Sequence, residues 1–116
     1  MEQPIPNLAL SNGIRAAVVG WSKTLASEVA KDGVTVNVVM PGRIHTQRVD
    51  ELDAAASKRT GKPVQEIASA SASAIPAGRY GRPEEFADVV VFLASGRASY
   101  VTGSLLRVDG GAIRSV

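Results

Sequence analysis

Ser11 and Arg15 stand four residues apart in LSNGIRAAVVGW (10–21). On a helix that spacing sets a hydroxyl and a guanidinium one turn apart on the same face. A serine hydroxyl is a far weaker acid than a phenol, whose pKa starts at about 10. The pair is therefore a poor proton donor, while the guanidinium offers a fixed charge and a fork of N–H donors suited to hydroxyl groups. Taken alone, the two also read as ordinary polar groups on a helix face. A second group lies in MPGRIHTQR (40–48), where Arg43, His45 and Arg48 follow a Pro-Gly turn. They would suit an acidic group on a small molecule, or stand as solvated charges on a loop.

Other chemistries are excluded by composition. The 116 residues contain no cysteine, so disulfides and thiolate metal sites are ruled out. His45 is the only histidine, which leaves no pair for zinc, and no metal site is expected. Of eleven glycines, no two have one residue between them and none have three between them. A Gly-rich phosphate cradle cannot be assembled from that spacing. The pI of 9.3 accompanies a net charge of only +2. The densest basic stretch, SKRTGK (57–62), has no interleaved aromatics, so no nucleic-acid partner is expected. No apolar run is long enough for a membrane span, and no leader pattern opens the chain. These features predict a cytoplasmic protein without a membrane partner.

The elements that must position these residues follow from periodicity. Leu10, Ile14, Ala17/Val18, Trp21, Leu25 and Val29 recur at three- and four-residue steps, predicting one long helix over 8–32. Pro6 and Asn7 supply its start and Gly33 its stop. Ala16 and Gly20 lie off the stripe and would let a second helix approach closely. VTVNVVMPG (34–42) predicts a strand with apolar residues on both faces, as in a parallel sheet. Residues 48–60 and 64–74 predict two weaker helices, the second Ser/Ala-rich and mobile. YGRPEEFADVVVFLASG (80–96) predicts a helix with Pro83 at its first position and Phe86, Val89/Val90 and Leu93 inward. SLLRVDGG (104–111) predicts a closing strand. Helix, strand, loose helices, helix and strand make an α/β pattern. Two strands alone do not cover both faces of either, so part of the sheet must come from elsewhere.

Two stretches carry a family resemblance. GWSKTLASEVAKDGVTVNVVMPGRIHT (20–46) resembles the long helix, sixth strand and following turn of short-chain dehydrogenases/reductases. IPAGRYGRPEEFADVVVFLASGRASYVTGSLLRVDGG (75–111) is similar to the family's ending almost position by position. The resemblance covers residues 8–112. It implies the C-terminal portion of a doubly wound Rossmann-type fold that binds NAD or NADP, forming a single partial domain over 1–116. Within it, 8–46 would be the long helix, strand and nicotinamide-side loop, 47–75 the substrate-loop helices, and 80–112 the last helix and strand. Pro41, Gly42, Ile44 and Thr46 would then face the nicotinamide, a location that agrees with ligand binding beyond the carboxyl ends of strands. Ser11 and Arg15 fall where the family carries its catalytic Tyr and Lys, and Tyr80 and Tyr100 have Glu84 and Ser104, not Lys, four residues on.

The resemblance thus implies an oxidoreductase chain unable to turn over alone, lacking both the Gly-rich loop and the Tyr-Lys pair. It also implies assembly, either of this chain with itself through helix 8–32 and segment 84–109, or with a complementing N-terminal half. The competing reading is a non-catalytic oligomerisation module that keeps those surfaces.

Overall fold

The computed structural model describes residues 4–115 of the chain. The long helix is α1 (Ala9–Val29). It tightens into a 3₁₀ turn over Ala30–Asp32 and stops at Gly33, whose φ of 74° returns its N–H to the Ala30 carbonyl. No side chain caps its first turn. Instead the Asn12 amide holds the incoming chain, donating to the Ile5 carbonyl at 2.9 Å and accepting from the Ile5 N–H at 3.3 Å. Asn7 makes the bend ahead of the helix at φ 65°.

Strands β1 (Val38–Pro41) and β2 (Leu105–Val108) form a two-stranded sheet. The Val38 N–H donates to Ser104 O and the Gly42 N–H to Val108 O, both at 2.9 Å. The offset is the same at both ends, so the pair is parallel. The ladder covers less than the 34–42 and 104–111 predicted for the two strands. Ahead of Val38 one backbone bond remains, from the Gly103 N–H to Val36 O at 2.7 Å, and side chains supply the rest. The Asn37 amide donates to Val101 O at 2.8 Å and accepts from the Ser104 N–H at 3.2 Å. The Val36 N–H is taken by Thr102 Oγ1 at 3.0 Å. Beyond β2, the Asp109-Gly110-Gly111 turn stops the strand.

Between the strands come α2 (Gln47–Thr60), α3 (Val64–Ser73) and α4 (Pro83–Ala94). Gly61 ends α2 at φ 73°, with Lys58 and Arg59 in its last turn. Pro83 opens α4, as its fixed φ favours. The Ser/Ala-rich segment forms a regular helix, α3.

The described chain falls into two compact units, 4–40 with 89–107 and 115, and 41–88 with 108–114. In the first, the buried positions are Ser22, Ala26, Leu93 and Ala98. The small side chain of Ala26 leaves room for Gly103, which sits at φ 67°. A Cβ on Gly103 would lie 2.9 Å from Lys23 Nζ, which donates to the Gly103 carbonyl at 3.0 Å. The larger apolar stripe of α1 is bare: Leu10, Ile14, Val18 and Trp21 are 78%, 57%, 48% and 64% exposed. On α4, Leu93 is buried, Phe86 and Val89 are half-buried, and Val90 is exposed. In the second unit the buried positions are Val49, Asp53 and Ile75.

Candidate active-site turn

The turn after β1 is fixed from two sides, both within the second unit. Gly42 packs directly against Asp109; a Cβ there would fall 2.5 Å from Asp109 Cα and 2.7 Å from its Cβ. Asp109 is in turn held by its own loop, accepting the N–H groups of Gly111 at 2.9 Å and Ile113 at 3.0 Å. Just beyond Gly42, an isolated parallel bridge joins Ile44 to Gly81. The Gly81 N–H donates to Arg43 O at 2.9 Å, and the His45 N–H donates to Gly81 O at 2.8 Å.

That pattern determines where Ile44 points. In a parallel bridge the central residue of the longer arm turns its own N–H and C=O away from the partner strand. Neither group of Ile44 meets a hydrogen-bond partner among the described residues. An adjacent donor and acceptor on one backbone residue suit a planar carboxamide, which offers the complementary acceptor and donor. Two residues later Thr46 is the N-cap of α2, with φ −141° and ψ 166°. Its carbonyl accepts from Val49 and Asp50, but its side chain makes no cap bond. The exposed hydroxyl is available to a ligand. Pro41 is exposed at the end of β1.

The basic side chains near this turn each have a carboxylate beside them. Arg43 lies 3.4 Å from Asp53, His45 3.1 Å from Asp50 and Arg48 3.8 Å from Glu51. Of the two readings open in the sequence, solvated and paired charge fits better than a site for an acidic substrate. Among the described residues no group of three His, Cys, Asp or Glu is placed to hold a metal ion.

Two features escaped sequence reasoning. One is Asp53, buried on α2, which accepts from the Tyr80 hydroxyl at 2.9 Å as well as facing Arg43. No spacing rule connects positions 43, 53 and 80. The other is the set of partners of Glu85, which with Glu84 was expected only to complement the helix dipole: as the third helical residue of α4 its carboxylate reaches back to the Arg82 N–H at 2.8 Å and forms half of a capping box. Arg79 grips the same carboxylate with both terminal nitrogens, at 2.9 and 2.7 Å. The glutamate three residues into a helix after a Gly-Arg-Pro start was the legible signal here.

The Arg79 hydrogen bonds, followed by the Arg82 N–H, pull the Glu85 carboxyl from 4.5 down to about 2. A carboxyl depressed in the folded state contributes stability above its unfolded value and loses it as pH falls through the folded one. The apparent stability should therefore hold between pH 7 and 5, then decline from about pH 4.5 towards pH 2. Glu85→Gln should flatten that decline in a circular-dichroism acid titration. An unchanged slope would show that the Arg79 contact is inconsequential in solution.

Ser11 and Arg15 lie in the first unit, on α1, where Arg15 Nε donates to Ser11 Oγ at 3.3 Å. Eleven residues separate Ser11 from Ser22 and Arg15 from Ala26, which on a helix is about 20° of rotation. The polar pair therefore continues the face whose later members are buried, not the bare Leu10–Trp21 stripe.

Known proteins share this chain's sequence and shape. A family model described as enoyl-(acyl carrier protein) reductase matches residues 1–112. The 3-oxoacyl-[acyl-carrier-protein] reductase FabG of Vibrio harveyi is 44% identical over 97 residues, covering 84% of this chain and 35% of that protein. The L-2,3-butanediol dehydrogenase of Corynebacterium glutamicum is 40% identical over 111 residues, covering 96% of this chain and 43% of its own. Among solved structures, YwfH, an NADPH dependent reductase involved in bacilysin biosynthesis, superposes with a TM-score of 0.91 at 34% identity. That match covers 98% of this chain and 43% of YwfH. The chain thus spans well under half the length of these relatives, over the stretch where their doubly wound α/β fold carries the elements described above. It belongs to the short-chain dehydrogenase/reductase family.

Proposed function

We propose that this chain contributes the nicotinamide-facing part of an NAD(P)-dependent oxidoreductase acting on a carbonyl or alcohol, and that it does not turn over by itself. The observation that carries the reading is the Ile44 backbone, whose N–H and C=O are turned outward by the Gly81 bridge. Nicotinamide, when bound, supplies or accepts the hydride. Ile44 would orient its carboxamide, and the Thr46 hydroxyl would reach the carboxamide or a phosphate. Pro41 and Gly42 set the path of the turn, Gly42 by letting Asp109 pack against the backbone. Ser11 and Arg15 occupy the family's Tyr and Lys positions. By the family resemblance Arg15 would keep the positive charge of the Lys, while Ser11 is too weak an acid to serve as the proton donor. FabG and YwfH are named as reductases, which favours the reductive direction and NADPH. A cytoplasmic setting accords with a chain that has no cysteine and, among its described residues, no helix long and apolar enough to cross a membrane.

Reduced nicotinamide mononucleotide is the probe that tests this, because it carries the nicotinamide end without the adenosine half. Millimolar probe should shift the Ile44 and Thr46 amide resonances and leave Gly33 and Gly103 in place. Shifts confined to other residues, or none, would overturn the reading.

A second reading is favoured by the bare stripe of α1. In it the chain is an assembly module, associating with a second copy through α1 and segment 84–109, or with a complementing N-terminal half.

A further inference from the structure

Asp53 is the only buried charged side chain among the described residues, at 4% exposure. Burying a carboxylate is costly unless its oxygens are paired and hydrogen-bonded. Both are, and the partners are not random. Oδ1 faces Arg43 Nη1 at 3.4 Å, and Oδ2 accepts from the Tyr80 hydroxyl at 2.9 Å. Arg43 immediately precedes Ile44, and Tyr80 immediately precedes Gly81. The carboxylate thus holds the residue before each half of the Ile44–Gly81 bridge. Val49, one turn earlier on α2, is buried too, so the inward face of α2 is Val49 and Asp53.

We infer that Asp53 is a positioning residue: from α2 it clips together the two segments whose bridge turns the Ile44 backbone outward. Its importance for cofactor orientation rests on the reading of Ile44 proposed above; its action on the bridge does not. A single carboxylate is well suited to this, because its two oxygens accept from two directions at once. The isolated bridge has only two backbone hydrogen bonds, so a lateral clip contributes a large share of its persistence. The arrangement also ties the seating of α2 to the geometry of the turn.

Site-resolved amide hydrogen exchange on the whole chain tests the clip directly. In Asp53→Ala, the His45 and Gly81 amides should exchange about tenfold faster, the scale of one net hydrogen bond. The amides of α1 and of Val38 should keep their rates. Asp53→Asn can still accept from Tyr80 but presents an amide nitrogen to Arg43; Tyr80→Phe removes the other arm. Each should give an intermediate acceleration at the same two amides, and these two variants carry the test if Asp53→Ala does not fold. Unchanged exchange at His45 and Gly81 in a folded variant would overturn the inference. So would an equal rise at every amide, which marks general destabilisation. Failure of the Ile44 reading would show separately, as an absence of nicotinamide mononucleotide shifts in the unsubstituted chain. Where that probe does bind, Asp53→Ala should weaken its apparent affinity several-fold.

Discussion

Gly42→Ala is expected to destabilise the chain by about 3 kcal/mol, the upper end of the range for forcing a methyl into packed structure. The methyl would arrive 2.5 Å from Asp109 Cα and 3.2 Å from the Asp109 carbonyl oxygen. Those are backbone atoms, so no side-chain rotation relieves the clash. Asp109 cannot yield easily either, since its carboxylate holds Gly111 and Ile113. Moving Gly42 instead stretches its N–H bond to Val108 at the end of the ladder. The contrast is Gly13, inside α1, where an added methyl would meet nothing within 4 Å. Gly13→Ala should stabilise by about 0.5–1 kcal/mol through helix propensity alone. Urea unfolding midpoints for both variants decide the matter. A Gly42→Ala cost below that of an ordinary surface change would mean the turn is not packed as described.

What could be read from the sequence divides along a physical line. Local signals worked: the stripe from Leu10 to Val29, the Gly33 stop and the Pro83 start each depend on residues within a turn or two. The helices therefore stand where the pattern put them. The strands are shorter because their extent depends on what lies alongside them. Asn37 and Thr102 meet their partners across more than sixty residues of sequence and take over part of the ladder that β-branched composition suggested. The candidate turn was legible only as a Pro-Gly punctuation after a strand. That Ile44 has free backbone groups follows from its bridge to Gly81, a non-local pairing with no sequence signature. Asp53 was hidden for the same reason, because an aspartate in mid-helix reads as solvated until Arg43 and Tyr80 are brought to it. The side chains of Arg43, His45 and Arg48 were visible, but their carboxylate neighbours were not.

Trp21→Glu is expected to weaken self-association of the chain about 100-fold, given the second reading proposed above. Trp21 is 64% exposed, and covering that much indole removes well over 100 Å² of apolar surface from water, about 3 kcal/mol. Leu10, Ile14 and Val18 extend the same stripe, so the tryptophan belongs to a continuous apolar row and is not a lone surface residue. A glutamate there places a charge where a partner helix would have to desolvate it. The substitution should cost the folded chain little, because Trp21 is already 64% exposed. Val91, 66% exposed on α4, provides the matched control on the second surface. Sedimentation velocity over a concentration series separates the cases. Dissociation by Trp21→Glu but not Val91→Glu assigns the contact to α1, and the reverse assigns it to segment 84–109. A folded monomer at every concentration in the unsubstituted chain would count against the second reading.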